Sequence, residues 1–194
     1  TGDNVSVAAG RMSFVLGLQG PCSSVDAACA SALVALHIGV CVTNSTECSE
    51  ALALAVALKL SPRGAIGLAT AGMLSSDGRC KTLDTSANGM IRSEAVGACT
   101  LSTACGHSVR AIIHHGGAIG QDGRSASLTA PNGSAQRTLL LNALARANWT
   151  SVEVPHMEAH GTGTSLGDPT EAGSLAEVHG VALREMPLVV GAAK

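Results

Sequence analysis

The chain has 194 residues, a length that suits one domain or a piece of a larger one. Its composition is 46% hydrophobic and only 13% charged, which excludes an intrinsically disordered segment. The formal net charge of -2 offers no basic surface for nucleic acid or for an anionic membrane. The most apolar stretch, Ala32–Val42, is well short of the ~20 residues that a membrane-spanning helix needs.

The seven cysteines are an odd number without a regular framework, and no secretory signal precedes them. We therefore expect reduced thiols in a reducing compartment. The chain starts on Thr1 without an initiating Met and stops on Lys194, which indicates an internal piece of a longer protein. We predict a cytoplasmic location for that protein and leave an organelle open, because its N-terminus is missing.

The predicted elements alternate between strands and helices. Short apolar runs ended by Gly, Pro or Asn predict strands, and longer runs predict helices. In chain order we predict a strand end at Ser23–Asp26, a buried helix over Cys29–Val42, a buried strand over Ala51–Leu60, strands at Cys99–Leu101 and Val109–His115, an amphipathic helix over Ser134–Ala147, a strand over Val154–Ala159, a helix from about Pro169 capped by Asp168, and a strand over Leu188–Ala192. This alternation favours an α/β layered fold.

Cys29 is the first candidate site residue. A predicted strand leads into small residues, then Cys29, then a helix that starts with small side chains. Such neighbours permit a tight turn, and a helix N-terminus stabilises a thiolate. Since an ordinary cysteine is more often a buried core residue, we assign that role to the cysteines without such flanks. These are Cys22, Cys41, Cys48, Cys99 and Cys105.

His160 is the second candidate, at a predicted strand end before a glycine-rich loop and a helix. Thr162 and Thr164 can offer hydroxyls to a polar ligand arm. A glycine-rich loop before a helix is also typical of phosphate sites, but neither the dinucleotide fingerprint nor the P-loop pattern occurs. Taken alone, His160 is compatible with a structural histidine. Together with Cys29, far away in sequence, it is compatible with a Cys/His site assembled by folding.

Several blocks of the sequence resemble the β-ketoacyl synthases (ketosynthases), in the order in which that family has them. The run 25–33 resembles the family's nucleophile signature, and His160–Glu171 resembles its histidine signature. The segment 84–94 resembles a third block. Two further blocks, 121–125 and 129–133, resemble those of modular, type I polyketide enzymes. The resemblance covers essentially all of the chain as an internal fragment.

This resemblance implies a thiolase-like fold with αβαβα layers, of which the chain covers only a part. Residues from 1 to about 100 would be the end of the N-terminal half, which carries the nucleophile. Residues from about 101 to 194 would be the start of the C-terminal half, which carries the His loop.

The resemblance also implies the reaction. Cys29 would accept an acyl chain from acyl carrier protein, a malonyl-type extender would lose CO2, and its carbanion would attack the thioester, in polyketide or fatty-acid biosynthesis. His160 would stabilise the enolate oxygen. By the same resemblance, Thr162 and Thr164 would contact the phosphopantetheine arm, Lys194 would be the active-site lysine, and Asp168 and Glu171 would be acidic residues near it.

No metal and no soluble cofactor is implied, because the substrates are carried on phosphopantetheine. Acyl carrier protein and a second copy of the full domain are the expected partners. The family's second histidine lies beyond Lys194, so we expect the isolated chain to be inactive.

Two other hypotheses are open from the sequence. One is an inactive ketosynthase-like scaffold that binds acyl carrier protein; it is motivated by Ser93 and Ala95, which replace glycines on either side of Glu94. Residues larger than glycine are costly where the backbone needs a positive φ. The other is a metal-binding protein, but no Cys or His spacing of the zinc type supports it.

Overall fold

The computed structural model describes residues 4–104, 113, 117, 124–127, 129–180 and 184–193. Its helices are α1 (Ala8–Leu16), α2 (Ser31–Asn44), α3 (Pro62–Thr70), α4 (Gly133–Ala147) and α5 (Gly167–His179). Its strands are β1 (Glu50–Ala57), β2 (Ala95–Ser102), β3 (His156–Glu158) and β4 (Val189–Gly191). The chain forms two compact units, Thr1–Leu58 with Glu94–Ile113 and Lys59–Ser93 with His114–Lys194.

The first unit is built on an antiparallel strand pair. β1 and β2 pair along their whole length, from Glu50 opposite Ser102 to Ala57 opposite Ala95. α2 packs against this pair, mainly on β1. The predicted strand at Cys99–Leu101 is confirmed and lies within β2.

Burial in the first unit is lower than we predicted for α2 and β1. Most of α2 is half-buried, and Leu33 is 71% exposed. In β1, Val56 is 66% exposed. An apolar helix is buried only when it has neighbours on all sides. Here α2 contacts the β1–β2 pair along one side, so the prediction of a buried helix and a buried strand is wrong for this chain.

Two predicted strands differ from the structure, and a third lies outside the described residues. Residues 23–26 form no strand. β1 ends at Ala57 and not at Leu60, and α3 begins at Pro62 with the Ser61 hydroxyl accepting a bond from the Arg63 N–H. The predicted strand Val109–His115 lies outside the described residues, apart from Ile113.

The second unit contains a βαβ arrangement. β3 and β4 pair in parallel, with His156 opposite Val189, and α5 lies between them in sequence. Leu175 and Val178 of α5 are buried, and α4 packs against α5. The predicted helix over 134–147 and the strands over 154–159 and 188–192 are confirmed, the strands with shorter bounds.

His179 fastens the end of α5. Its side chain is 1% exposed, and its Nδ1 lies 3.1 Å from the Ser151 carbonyl oxygen. A carbonyl only accepts, so Nδ1 carries a proton that it donates.

Among the described residues, none of the helices combines the length and the apolar composition that a membrane span requires.

Candidate active site

Cys29 lies in a 3-10 turn, Ala28–Ala30, directly before α2. Ala28 has a φ of 50°, in the left-handed region that costs energy for a residue with a Cβ. The Ser31 hydroxyl accepts the Ala27 N–H at 2.8 Å and donates to the Ala28 carbonyl at 2.7 Å. The first residue of α2 therefore closes the turn that carries the thiol.

A second side chain holds the same turn. The Asp26 carboxylate accepts the Ala28 N–H at 3.1 Å. Cys29 itself is exposed, and the helix starts two residues after it, at Ser31. The prediction that small residues form a tight turn before a helix is confirmed, although the helix does not begin at Cys29.

The cysteines to which we assigned a core role are not in a core. Cys22, Cys41 and Cys99 are exposed, and Cys48 is half-buried. These thiols lie on the poorly covered surfaces of the first unit, so the general burial tendency of cysteine does not apply to them. Cys105 lies outside the described residues.

His160 follows β3 after one residue, and its backbone is held by α5. The Glu171 carboxylate accepts the His160 N–H at 2.7 Å and the Gly161 N–H at 2.9 Å, one with each oxygen. Such charge-assisted bonds are stronger than those between neutral groups. Glu171 thus holds the backbone on both sides of the His160 Cα, the atom that carries the imidazole side chain.

Two glycines in the loop between β3 and α5, which we call the His160 loop, are required by close packing. Gly161 and Gly163 have φ values of 47° and 77°. A Cβ at Gly161 would lie 2.6 Å from Thr82 Cγ2, and a Cβ at Gly163 would lie 2.7 Å from the Lys81 backbone nitrogen. The loop therefore presses directly on the segment 81–89, which we call the buttress segment.

Asp168 joins the loop to the buttress segment. It is 3% exposed, and its carboxylate accepts three backbone N–H groups: Leu83 at 2.7 Å, Gly163 at 3.1 Å and Thr164 at 3.4 Å. The prediction that Asp168 is the helix cap is wrong. α5 begins one residue earlier, at Gly167, so Asp168 lies inside the first turn, where a negative charge is favourable.

The two threonine hydroxyls face each other. Thr162 Oγ1 lies 3.3 Å from Thr164 Oγ1, and Thr164 Oγ1 also accepts the Gly167 N–H at 3.1 Å. Both residues are half-buried. A hydroxyl has one donor and two acceptor positions, so the pair keeps hydrogen-bonding capacity for a further polar group.

The contacts of the buttress segment with the loop are the part of the site that sequence reasoning missed. Gly89 N–H donates to the Gly163 carbonyl at 2.9 Å, and the Thr82 hydroxyl donates to the Gly161 carbonyl at 2.6 Å. The only sequence signal was the Asp84–Gly89 block itself. Nothing in that block indicates a partner some 75 to 85 residues later.

Local hydrogen bonds shape the electrostatics of this segment. The Ser86 hydroxyl and backbone N–H, both 2.7 Å from Asp84 Oδ1, hold the pKa of Asp84 below its ordinary value. Lys81, with Ser75 and Asn88, lowers the pKa of Asp77. The Asp84 carboxylate thus stabilises a turn within the buttress segment, and the Asp77 carboxylate ties the residues before the segment to Lys81 and Asn88.

The structure brings five of the predicted site residues together in the second unit: His160, Thr162, Thr164, Asp168 and Glu171. Cys29 belongs to the first unit. Lys194 lies outside the described residues. Just before it, the Ala193 N–H donates to the Glu158 carboxylate at 2.5 Å. Within the described ranges, no three His, Cys, Asp or Glu side chains are grouped as for a metal ion.

The replacements beside Glu94 do not strain the backbone. Ser93 and Ala95 are both described, and neither has a positive φ. β2 starts at Ala95 and pairs normally with Ala57. The conformational cost that motivated the inactive-scaffold hypothesis is therefore absent at these two positions.

Two family models match the chain. The model described as "Beta-ketoacyl synthase, N-terminal domain" matches residues 1–118, and "Beta-ketoacyl synthase, C-terminal domain" matches residues 110–194. A phenolphthiocerol synthesis polyketide synthase type I of Mycobacterium bovis is 44% identical over 200 residues, and an erythronolide synthase of Saccharopolyspora erythraea is 41% identical over 198 residues. Both cover 100% of this chain, which spans only 9% and 6% of their own lengths.

A solved structure has the same fold. The ketosynthase from module 6 of the bacillaene synthase of Bacillus subtilis superposes with a TM-score of 0.89 at 32% sequence identity. The match covers 100% of this chain and 36% of that one. The α/β fold is therefore the thiolase-like fold of the ketosynthases, partly covered. With both family models matched from one end to the other, the chain belongs to the β-ketoacyl synthase family.

Proposed function

We propose that the protein containing this chain is a β-ketoacyl-acyl-carrier-protein synthase of a polyketide synthase. The observation that carries the proposal is the match of both halves of the family across the whole chain. Cys29 and His160 lie in the runs whose sequence resembles the family's nucleophile and histidine signatures. The reaction is a decarboxylative Claisen condensation. It lengthens an acyl chain by two backbone carbons.

Cys29 carries the first half-reaction. Its thiolate attacks the carbonyl carbon of an acyl thioester on acyl carrier protein. A new C–S bond forms, the old one breaks, and the phosphopantetheine thiolate leaves. The exposed position of Cys29 before α2 supports this role, since a nucleophile must be reachable by a carrier-bound substrate.

His160 serves the second half-reaction. The malonyl-type thioester loses CO2, and the electron pair of the broken C–C bond remains as an enolate. A neutral imidazole donates a hydrogen bond to the oxygen that becomes negative. The carbanion then attacks the acyl carbonyl on Cys29, a C–C bond forms, and the Cys29 thiolate is released.

The remaining residues have supporting roles in this proposal. Thr162 and Thr164 bind the pantetheine arm through the capacity left on their hydroxyls. Asp168 and Glu171 hold the loop, as their contacts support. Lys194 acts as the family's active-site lysine. The substrates bring their own phosphopantetheine, so we propose no resident metal or soluble cofactor.

The proposal includes partners and location. Acyl carrier protein delivers both substrates, and the complete domain forms a homodimer by resemblance to its family. The cytoplasm is the proposed compartment. The odd number of seven cysteines, without a regular disulfide framework in the sequence, is what supports a reducing compartment.

Mass spectrometry of the full-length parent tests the proposal. After incubation with an acyl-acyl-carrier-protein thioester, we expect acyl mass on the peptide that contains Cys29 and none in Cys29→Ala. A His160→Ala variant should still load Cys29 but fail to release CO2 from a malonyl thioester. A folded parent that never loads Cys29 would instead favour a binding scaffold.

A further inference from the structure

The hydroxyl of Thr82 forms a hydrogen bond with the backbone of the His160 loop. It donates to the carbonyl of Gly161 at 2.6 Å, across 79 residues of sequence. The Thr82 methyl lies against the same residue, since a Cβ on Gly161 would be 2.6 Å from Thr82 Cγ2. Thr82 is half-buried, so water competes only partly for this bond.

The backbone around His160 is thereby held from two directions. Glu171 of α5 accepts the N–H groups of His160 and Gly161. Thr82 satisfies the carbonyl of Gly161, the next acceptor along the chain. The Thr82 bond therefore fixes the peptide between Gly161 and Thr162, which directly follows the two peptides whose N–H groups Glu171 binds.

We propose that Thr82 is a positioning residue for His160 in the decarboxylation and condensation step. This inference rests on the proposed function. A hydrogen bond to a developing enolate oxygen stabilises it only when the donor is held in place beforehand. A displacement of about 1 Å in such a donor costs about a hundredfold in rate. Cys29 loads its acyl chain without this donor, so the first half-reaction does not depend on Thr82.

Two substitutions in the full-length parent separate the hydroxyl from the methyl of Thr82. Thr82→Val keeps the shape and removes the donor; we expect the turnover rate for condensation to fall about tenfold or more, with little change in KM for the extender. Thr82→Ser keeps the donor and should restore most of the rate. Thr85→Val is the matched control, because Thr85 is an exposed threonine on the same segment.

Acyl loading of Cys29 is measured on the same samples and shows whether each variant is folded. Slow condensation with normal loading in Thr82→Val, rescued in Thr82→Ser, supports the positioning role. An equal fall in loading and condensation would show a general structural role and overturn the inference, as would unchanged condensation. If the wild-type parent fails to load Cys29 at all, the proposed function itself is wrong, and the inference is overturned with it.

Discussion

The carboxylate of Asp168 accepts the backbone N–H of Leu83 at 2.7 Å, although 85 residues separate the two in sequence. Leu83 has a φ of 58°, an unfavourable conformation for a leucine that a strong bond to its own N–H helps to hold. The same carboxylate binds two N–H groups of the His160 loop. One buried side chain thus links the buttress segment and the His160 loop to the start of α5.

Replacing Asp168 by alanine should destabilise the ketosynthase domain by about 3 kcal/mol, because a buried N–H left without its acceptor costs about 1–3 kcal/mol. Urea unfolding of the full-length domain measures the change. Glu177→Ala is the control: this carboxylate is on the same helix, is 58% exposed and pairs with Arg137. We expect it to cost less than about 1 kcal/mol. Equal losses in the two variants would contradict the linking role of Asp168.

Gly163→Ala should destabilise the domain by about 2 kcal/mol or more, since the new Cβ meets backbone at 2.7 Å and the φ of 77° is strained for alanine. For Gly173→Ala we expect the opposite effect, an increase in stability. Gly173 lies within α5, and a Cβ there has nothing within 4 Å. Alanine should therefore stabilise α5 by up to about 1 kcal/mol. The thermal unfolding midpoint of both variants tests the pair, and a stable Gly163→Ala domain would rule out the close packing on Lys81.

Ser31→Ala should slow acyl loading of Cys29 about tenfold, because the turn at Ala28 loses the side chain that closes it. Ser31→Thr keeps the hydroxyl and should load faster than Ser31→Ala. Ser45→Ala is the control at the other end of α2, where the hydroxyl donates to the Val42 carbonyl. The loading rate is measured by intact-protein mass spectrometry. Normal loading in Ser31→Ala would show that the turn does not depend on this hydroxyl.

Asp84 should make the stability of the buttress segment depend on pH. The Ser86 hydroxyl and N–H lower the folded pKa of Asp84 below its ordinary value of 3.8. Its stabilising contribution is therefore complete above pH 3.8 and is lost as the pH falls through the lower folded pKa. Ser86→Ala should destabilise the domain more at pH 6 than at low pH, where Asp84 is protonated. Urea midpoints at several pH values test this, and a pH-independent difference would contradict it.

The helices and strands show which features of the fold the sequence pattern predicts. The periodic run at 134–147 predicted α4 almost to the residue, with Asn132 accepting the first N–H groups of the helix. The apolar run at 51–60 predicted β1 but not that it pairs antiparallel with β2, because pairing direction is set by distant residues. The predicted burial of α2 was too high. An apolar pattern shows which surfaces of a helix favour burial, but it does not show which other elements cover them.

The sequence by itself determined the family, the cysteine before a helix and the histidine in a glycine-rich loop, because these are local patterns of residue type and spacing. Only the tertiary structure decided what Asp168, Glu171 and Thr82 do. Asp168 looked like a helix cap from its neighbours, yet its carboxylate turns back to Leu83. A buried carboxylate or hydroxyl bonds whichever backbone groups lack a partner, and those groups are brought near it by folding and not by their place in the sequence.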